Sequence, residues 1–98
     1  MSYQEHIEKV AGKKTKDILF FSLSTCMWCE KATELLNELG LAYDHVVVDM
    51  LENEADQQQV YDEIGKYTKD IGFPVLLIDG GKKVIFGYNE AEIRELAK

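Results

Sequence analysis

The chain has one proline, two cysteines and one tryptophan in 98 residues. Its longest apolar runs, Ile18 to Phe21 and Val75 to Ile78, fall far short of the roughly 20 residues that cross a bilayer. No basic start followed by an apolar stretch marks an export signal. These absences argue against a membrane span and place the protein in the cytoplasm, with no membrane partner. Basic residues are scarce too: 11 Lys and Arg stand against 18 Asp and Glu, a net charge of −7. Between Glu30 and Glu63, ten acidic side chains accompany Lys31 alone. Nucleic acid needs clustered Lys and Arg, so it is excluded as a partner. The acidic stretch reads as a solvated face, or as a docking surface that steers a basic protein. With 46% hydrophobic residues the chain is neither disordered nor of low complexity. It reads as one domain over residues 1–98, and monomer is the default at this size.

Local patterning gives an order of elements. Ser2 to Gly12 carries helix signals: Ser2 and Glu5 at capping-box spacing, Tyr3, Ile7, Val10 and Ala11 on one face, and Gly12 as a stop. Residues 1–16 thus form a helical extension that ends in a basic connector. Asp17 to Leu23 is a short apolar strand, Cys29 to Leu39 a helix ended by Gly40, and Ala42 to Val48 a second strand. Glu54 to Lys66 is helical, with Gly65 weakening its end. Val75 to Ile78 and Lys83 to Phe86 are strands joined by Asp79-Gly80-Gly81, and Glu90 to Ala97 is a helix capped by Asn89. Strands alternating with helices imply an α/β fold with a mixed sheet that ends in an antiparallel hairpin.

The two cysteines stand in Ser24-Thr25-Cys26-Met27-Trp28-Cys29. A structural zinc site needs four ligands and would have to recruit His6 and His45 from segments without ligand spacing, so no metal is expected. Accidental spacing of two structural cysteines is the second reading. The third is a redox pair, because a C-x-x-C that follows a strand and opens a helix has a mechanism. Cys26 falls where the N-cap lies, so free backbone N–H groups and the helix dipole favour its thiolate. Cys29, one turn on, begins the buried stripe and is shielded. Cys26 then attacks a disulfide and Cys29 resolves the mixed disulfide. Trp28 forms an apolar wall over the site, or is plain core packing. Met27 lies exposed beside Cys26. Pro74, before an apolar strand, reads from the residues alone as a rigid trans entry.

Taken together, residues 17 to 97 resemble the glutaredoxins, small members of the thioredoxin fold. The features that carry the likeness are the strand, C-x-x-C, helix, strand, helix, Phe73-Pro74, hairpin and final helix. Trp28, just before the second cysteine, favours glutaredoxin over thioredoxin, which has its tryptophan where Thr25 stands and a buried carboxylate where Phe20 stands. The resemblance implies a thioredoxin-like fold: a four-stranded mixed sheet flanked by helices, here with an extra N-terminal helix. It implies catalytic roles for Cys26 and Cys29. It implies substrate or thiol binding at Thr25, Met27, Trp28, Phe73, Pro74, Gly87, Tyr88 and Asn89, and a cis Phe73-Pro74 bond whose backbone pairs with substrate.

Departures from the family pattern bear on the electron donor. Met27 replaces a proline, Leu23 stands where a basic residue binds a glutathione carboxylate, and Gly72-Phe73 replaces Thr-Val. Phe86-Gly87-Tyr88-Asn89 half matches the turn that holds the other carboxylate. This ending is similar to glutaredoxin-like hydrogen donors of ribonucleotide reductase and to archaeal and anaerobic relatives. The resemblance therefore implies no tightly bound cofactor, and electrons from a low-molecular-weight thiol other than glutathione or from a flavin-dependent thioredoxin reductase. The partners are disulfide-containing client proteins. Two alternatives belong to other classes: an iron–sulfur cluster held between two copies with glutathione, disfavoured by bulky Met27, and a redox-sensing interaction module.

Overall fold

The computed structural model describes residues 3–98. Five strands and three α-helices follow in the order β1 Glu8–Val10, β2 Ile18–Ser22, α1 Met27–Glu38, β3 Tyr43–Val47, α2 Glu54–Gly65, β4 Val75–Ile78, β5 Lys83–Phe86 and α3 Glu90–Glu95. Short 3₁₀ turns occupy Tyr3–His6, Val48–Met50 and Asp79–Gly81. The sheet order is β1-β3-β2-β4-β5. Only the β2–β3 pair is parallel, as the α1 crossover between them requires; the other three pairs are antiparallel.

Helices cover both faces, and the strands read accordingly. All four residues of β4 are buried, the continuous apolar run of a strand with no solvent side. Phe20 and Phe21, adjacent on β2, point to opposite faces and belong to separate cores. Phe20 packs with Leu36 of α1 and Ile93 of α3, whereas Phe21 packs with Val60 and Ile64 of α2. Both rings are fully buried, which fixes β2 at the centre of the domain. The α/β architecture expected from the sequence is the one observed. The hairpin connection is longer than a tight turn: Ile78 pairs with Lys83, leaving four residues, and Asp79, Gly80 and Gly81 all have positive φ.

The N-terminal expectation is corrected. Where a helix was expected, Tyr3–His6 forms one 3₁₀ turn and Glu8–Val10 forms strand β1, so the sheet has five strands and not four. Ser2 of the capping-box reading lies outside the described residues. Two non-local contacts override the helix signals. The Tyr3 ring meets Phe21 edge-on at 5.7 Å, and the Tyr3 N–H donates to Gln59 Oε1 at 3.0 Å. β1 then pairs Glu8 with His45 and Val10 with Tyr43, covering an edge that β3 would otherwise expose. Gly12 is likewise no helix stop. Its Lys13 neighbour donates to the Gly40 carbonyl at 2.8 Å, and a Cβ at Gly12 would come within 2.6 Å of the Gly40 and Leu41 backbone. Most side chains of the acidic stretch are exposed, which fits both of its readings, except that Asp56 is 1% exposed and sits 3.6 Å from His6.

The two structural glycines predict opposite effects. Gly12→Ala should lose about 1–3 kcal/mol to overpacking against fixed backbone. Gly65→Ala, at the end of α2 with open space around it, should gain roughly 0.4–1 kcal/mol by restricting the unfolded chain. Urea denaturation midpoints measure both, and a Gly12→Ala variant as stable as wild type or more so would contradict the backbone contact assigned to Gly12.

Candidate active site

β2 ends at Ser22, and the chain must turn from the sheet into α1 within four residues. Asp49 holds that turn. Its two carboxylate oxygens accept from the Ser24 N–H at 2.9 Å and the Ser24 hydroxyl at 2.6 Å. These bonds keep the Asp49 carboxyl below the usual carboxylate range, the hydroxyl bond contributing most. Cys26 follows in extended conformation (φ −101°, ψ 112°) as the N-cap of α1. α1 therefore starts at Met27, two residues before the sequence expectation, because the Cys26 sulfur itself caps the first turn. The Cys29 N–H donates to Cys26 Sγ at 3.2 Å, and the Glu30 N–H donates to the Cys26 carbonyl at 3.0 Å.

The two sulfurs occupy different environments. Cys26 is half-buried, while Cys29 is 2% exposed; both are free thiols. Burial, reinforced by the Cys26 sulfur, pushes the Cys29 thiol up to about 12. Cys29 thus stays protonated across the physiological range until it reacts.

Around the pair, the elements bring most of the expected residues together. The Phe73-Pro74 bond is cis, and the Phe73 carbonyl lies 3.8 Å from Cys26 Sγ, where the thiol can donate to it. The Phe73 ring packs edge-on against Tyr61 of α2 at 6.1 Å. Pro74 is buried, and its carbonyl accepts from the Gly87 N–H at 2.8 Å. Trp28 is 51% exposed and stacks on Tyr88 at 5.7 Å, so it is a surface wall and not core packing. Lys31 Nζ lies 5.7 Å from the Trp28 ring centroid, a cation–π approach. Met27 and Thr25 are exposed on either side of Cys26. Asn89 stands apart in role, since its side chain caps α3 by accepting from the Glu92 N–H at 3.1 Å. On the opposite side of the dithiol runs a groove of about 440 Å³, lined by both cysteines with Ser22, His45, Glu30 and Glu34.

A family model for glutaredoxin matches residues 18–83. The chain belongs to the glutaredoxin family. A curated relative is an uncharacterised glutaredoxin-like 8.6 kDa protein in the rubredoxin operon of Clostridium pasteurianum. It is 37% identical over 79 residues, which span 81% of this chain and 95% of the relative. Among solved structures, the glutaredoxin of Methanosarcina mazei superposes with a TM-score of 0.82 at 34% identity, covering 93% of this chain and 86% of that one. The methanoredoxin of Methanosarcina acetivorans gives 0.84 at 32% identity, covering 92% and 94%. The thioredoxin-like fold is therefore shared, and with family membership comes thiol–disulfide oxidoreduction as a general activity.

Two contributors escaped sequence reading. Asp49 is 25 residues from the Ser24 it holds, and His45 is 23 residues from the Ser22 it bonds. Neither pairing has a spacing signal; only the β2–β3 register brings them into reach.

Because Asp49 is held below its ordinary range in the fold, its contribution is present above the unfolded aspartate pKa of about 3.9 and lost as pH falls. Wild type should exceed Asp49→Ala in urea midpoint at neutral pH, and the gap should narrow as pH falls through and below the ordinary aspartate range. Alkylation separates the thiols: near pH 8, iodoacetamide should modify Cys26 alone, with the buried Cys29 resisting until the chain unfolds. Peptide mapping that finds Cys29 alkylated first would contradict the assigned environments.

Proposed function

We propose that this protein is a dithiol reductase of protein or small-molecule disulfides, working through Cys26-Met27-Trp28-Cys29. The observation that carries the proposal is the Cys29 N–H aimed at Cys26 Sγ, with the Cys29 sulfur buried behind it. Cys26, accessible and capped by backbone N–H, attacks one sulfur of the substrate disulfide. A Cys26–substrate bond forms, the substrate S–S bond breaks, and the first thiolate leaves. Cys29 then attacks Cys26 Sγ, the mixed disulfide breaks, and the second substrate thiol departs. The substrate gains two electrons, and the cysteines end as an internal disulfide.

Recognition is shared between two surfaces. The Phe73 carbonyl beside Cys26 offers an extended client chain a main-chain partner. Trp28, Tyr88 and exposed Met27 offer apolar contact, soft at the Met27 thioether. Thr25 and Gly87 complete the rim through backbone more than side chain, and Asn89 acts through the α3 cap.

The electron donor is a low-molecular-weight thiol other than glutathione, or a flavin-dependent reductase of the thioredoxin reductase type. Glu30 and Glu34 line the groove that reaches both sulfurs, and half-buried Leu23 supplies no cation there. A doubly carboxylated peptide is disfavoured by such a field. Clients are disulfide-bearing proteins, met in the cytoplasm. No helix among the described residues is long and apolar enough to cross a membrane.

Two experiments test this reading. Cys29→Ser should accumulate a stable mixed disulfide on Cys26 with hydroxyethyl disulfide, seen by intact mass; Cys26→Ser should form none and lose activity by on the order of a hundredfold or more. Absence of the trapped adduct would contradict the division of roles. In stopped flow, Trp28 fluorescence of the oxidised protein should report slow reduction by glutathione, linear in thiol concentration. Rapid, saturable reduction would restore glutathione as the donor.

A further inference from the structure

The resolving step leaves one proton without a destination. Cys29 attacks as a thiolate, yet its thiol is held near 12 by burial first and the Cys26 sulfur second. A base within reach has to take the proton as the sulfur attacks.

Ser22 closes β2 and is 3% exposed. Its Oγ lies 2.7 Å from Nε2 of His45 on the neighbouring strand β3. The His45 ring lies flat on Phe20, with centroids 4.6 Å apart and planes at 5°, so its orientation is fixed by the core. Both side chains line the same groove as Cys26 and Cys29. Leu23, the next residue after Ser22, hydrogen-bonds Cys29 through its backbone, which keeps the end of β2 against the buried thiol. A hydroxyl–imidazole pair, buried at Ser22 and half-buried at His45, therefore lines the same open groove as the one thiol that needs a base, and the steps described above give it no other use.

We propose that the Ser22–His45 pair accepts the Cys29 proton, through water in this groove, as Cys29 resolves the mixed disulfide. The inference rests on the dithiol reading above. The proton leaves Cys29 Sγ for a groove water and Ser22 Oγ, whose own proton moves to His45 Nε2. The Cys29–Cys26 bond forms while the bond from Cys26 to the substrate sulfur breaks. The departing thiolate takes the proton back from the imidazolium by the same route and leaves as a thiol. Both electrons come from the cysteines, and the imidazole returns neutral.

The surroundings suit this part. Burial holds His45 below the usual histidine range, opposed by the carboxylate of Glu8 directly across the β1–β3 pair. At neutral pH the ring is therefore the unprotonated base. The other ionisable groups around it are Tyr43 on its own strand, Cys26, Cys29, Glu30 and Glu34 across the groove, and His6 and Glu52 on the far side. The Glu8 carboxylate favours the imidazolium once formed.

The test uses one equivalent of dithionitrobenzoate on the reduced protein in stopped flow. A first coloured thiolate reports attack by Cys26 and a second reports resolution by Cys29. In wild type the second rate should rise with pH and level off, with a midpoint below about 6.5. His45→Gln should slow the second phase about a hundredfold at neutral pH, far more than the first, and should lose the plateau, rising about tenfold per pH unit. Ser22→Ala, which keeps the imidazole, should slow the second phase by less and retain the midpoint. A His45→Gln second phase within about twofold of wild type, with the same pH profile, overturns the proposal. Should both phases fall together in His45→Gln, Ser22→Ala decides, and an unaltered second phase there overturns it. A wild-type protein that releases no second thiolate overturns the dithiol reading itself and this inference with it.

Discussion

The backbone N–H of Cys29 reaches the Cys26 sulfur at 3.2 Å because Cys26 leaves the helical conformation one residue before α1 begins. From that single contact the rest of the site takes its form. A sulfur at the N-cap satisfies a donor that a helix start always leaves free. It places the second cysteine one turn along, on the stripe that packs with Ala32 and Leu36 into the sheet. One thiol is therefore half-open and hydrogen-bonded, the other almost fully buried and hard to ionise. The asymmetry arises from helix geometry and burial.

The contact holds only while the turn before it is fixed. Asp49, in the 3₁₀ turn after β3, grips Ser24 through both oxygens. Phe20 and Phe21 anchor β2 from opposite cores, so the strand end that carries Ser22 to Ser24 cannot shift without disturbing both. Two dissimilar surfaces then meet at the sulfurs. The Trp28–Tyr88 stack and the Phe73 carbonyl form an apolar rim with a main-chain acceptor, suited to an extended chain. The groove behind carries Glu30, Glu34 and the Ser22–His45 pair, suited to water and protons. In the proposed cycle the substrate sulfur arrives on one side, and the proton of the resolving thiol departs on the other.

What the sequence revealed was mostly local. β4 and β5 declared themselves by continuous or alternating apolar residues, and α3 by Asn89 with Glu92 three residues on, a pair the structure joins by a cap bond at 3.1 Å. Cys26 as N-cap followed from the C-x-x-C at a strand end. The N-terminal segment misled because Tyr3, Ile7 and Val10 fit a helix face, and nothing nearby in sequence announced the β3 edge or the Phe21 ring that claim them. Gly12 looked like a helix stop and proved to be a close approach to the Gly40–Leu41 backbone. Asp49 and His45 were invisible for the same reason, since each acts on a residue more than 20 positions away. Asp56, one acid in a run that otherwise reads as solvated, turned out buried beside His6. In each case the missing information was a contact between segments distant in sequence, set by strand register for His45 and β1 and by helix and turn packing for Tyr3, Asp49 and Asp56, which no local window contains.

The account stands on Cys26 and Cys29 acting as one two-electron couple. The most direct measurement is a redox titration of Trp28 fluorescence in graded dithiothreitol buffers, with free thiols counted at each point. The account predicts one reversible transition with a slope of about 30 mV per tenfold change in ratio, and loss of two thiols per chain with no change in mass beyond two hydrogens. Cys29→Ser should show no such transition. A one-electron slope, or oxidation only through bonds between chains, would contradict it.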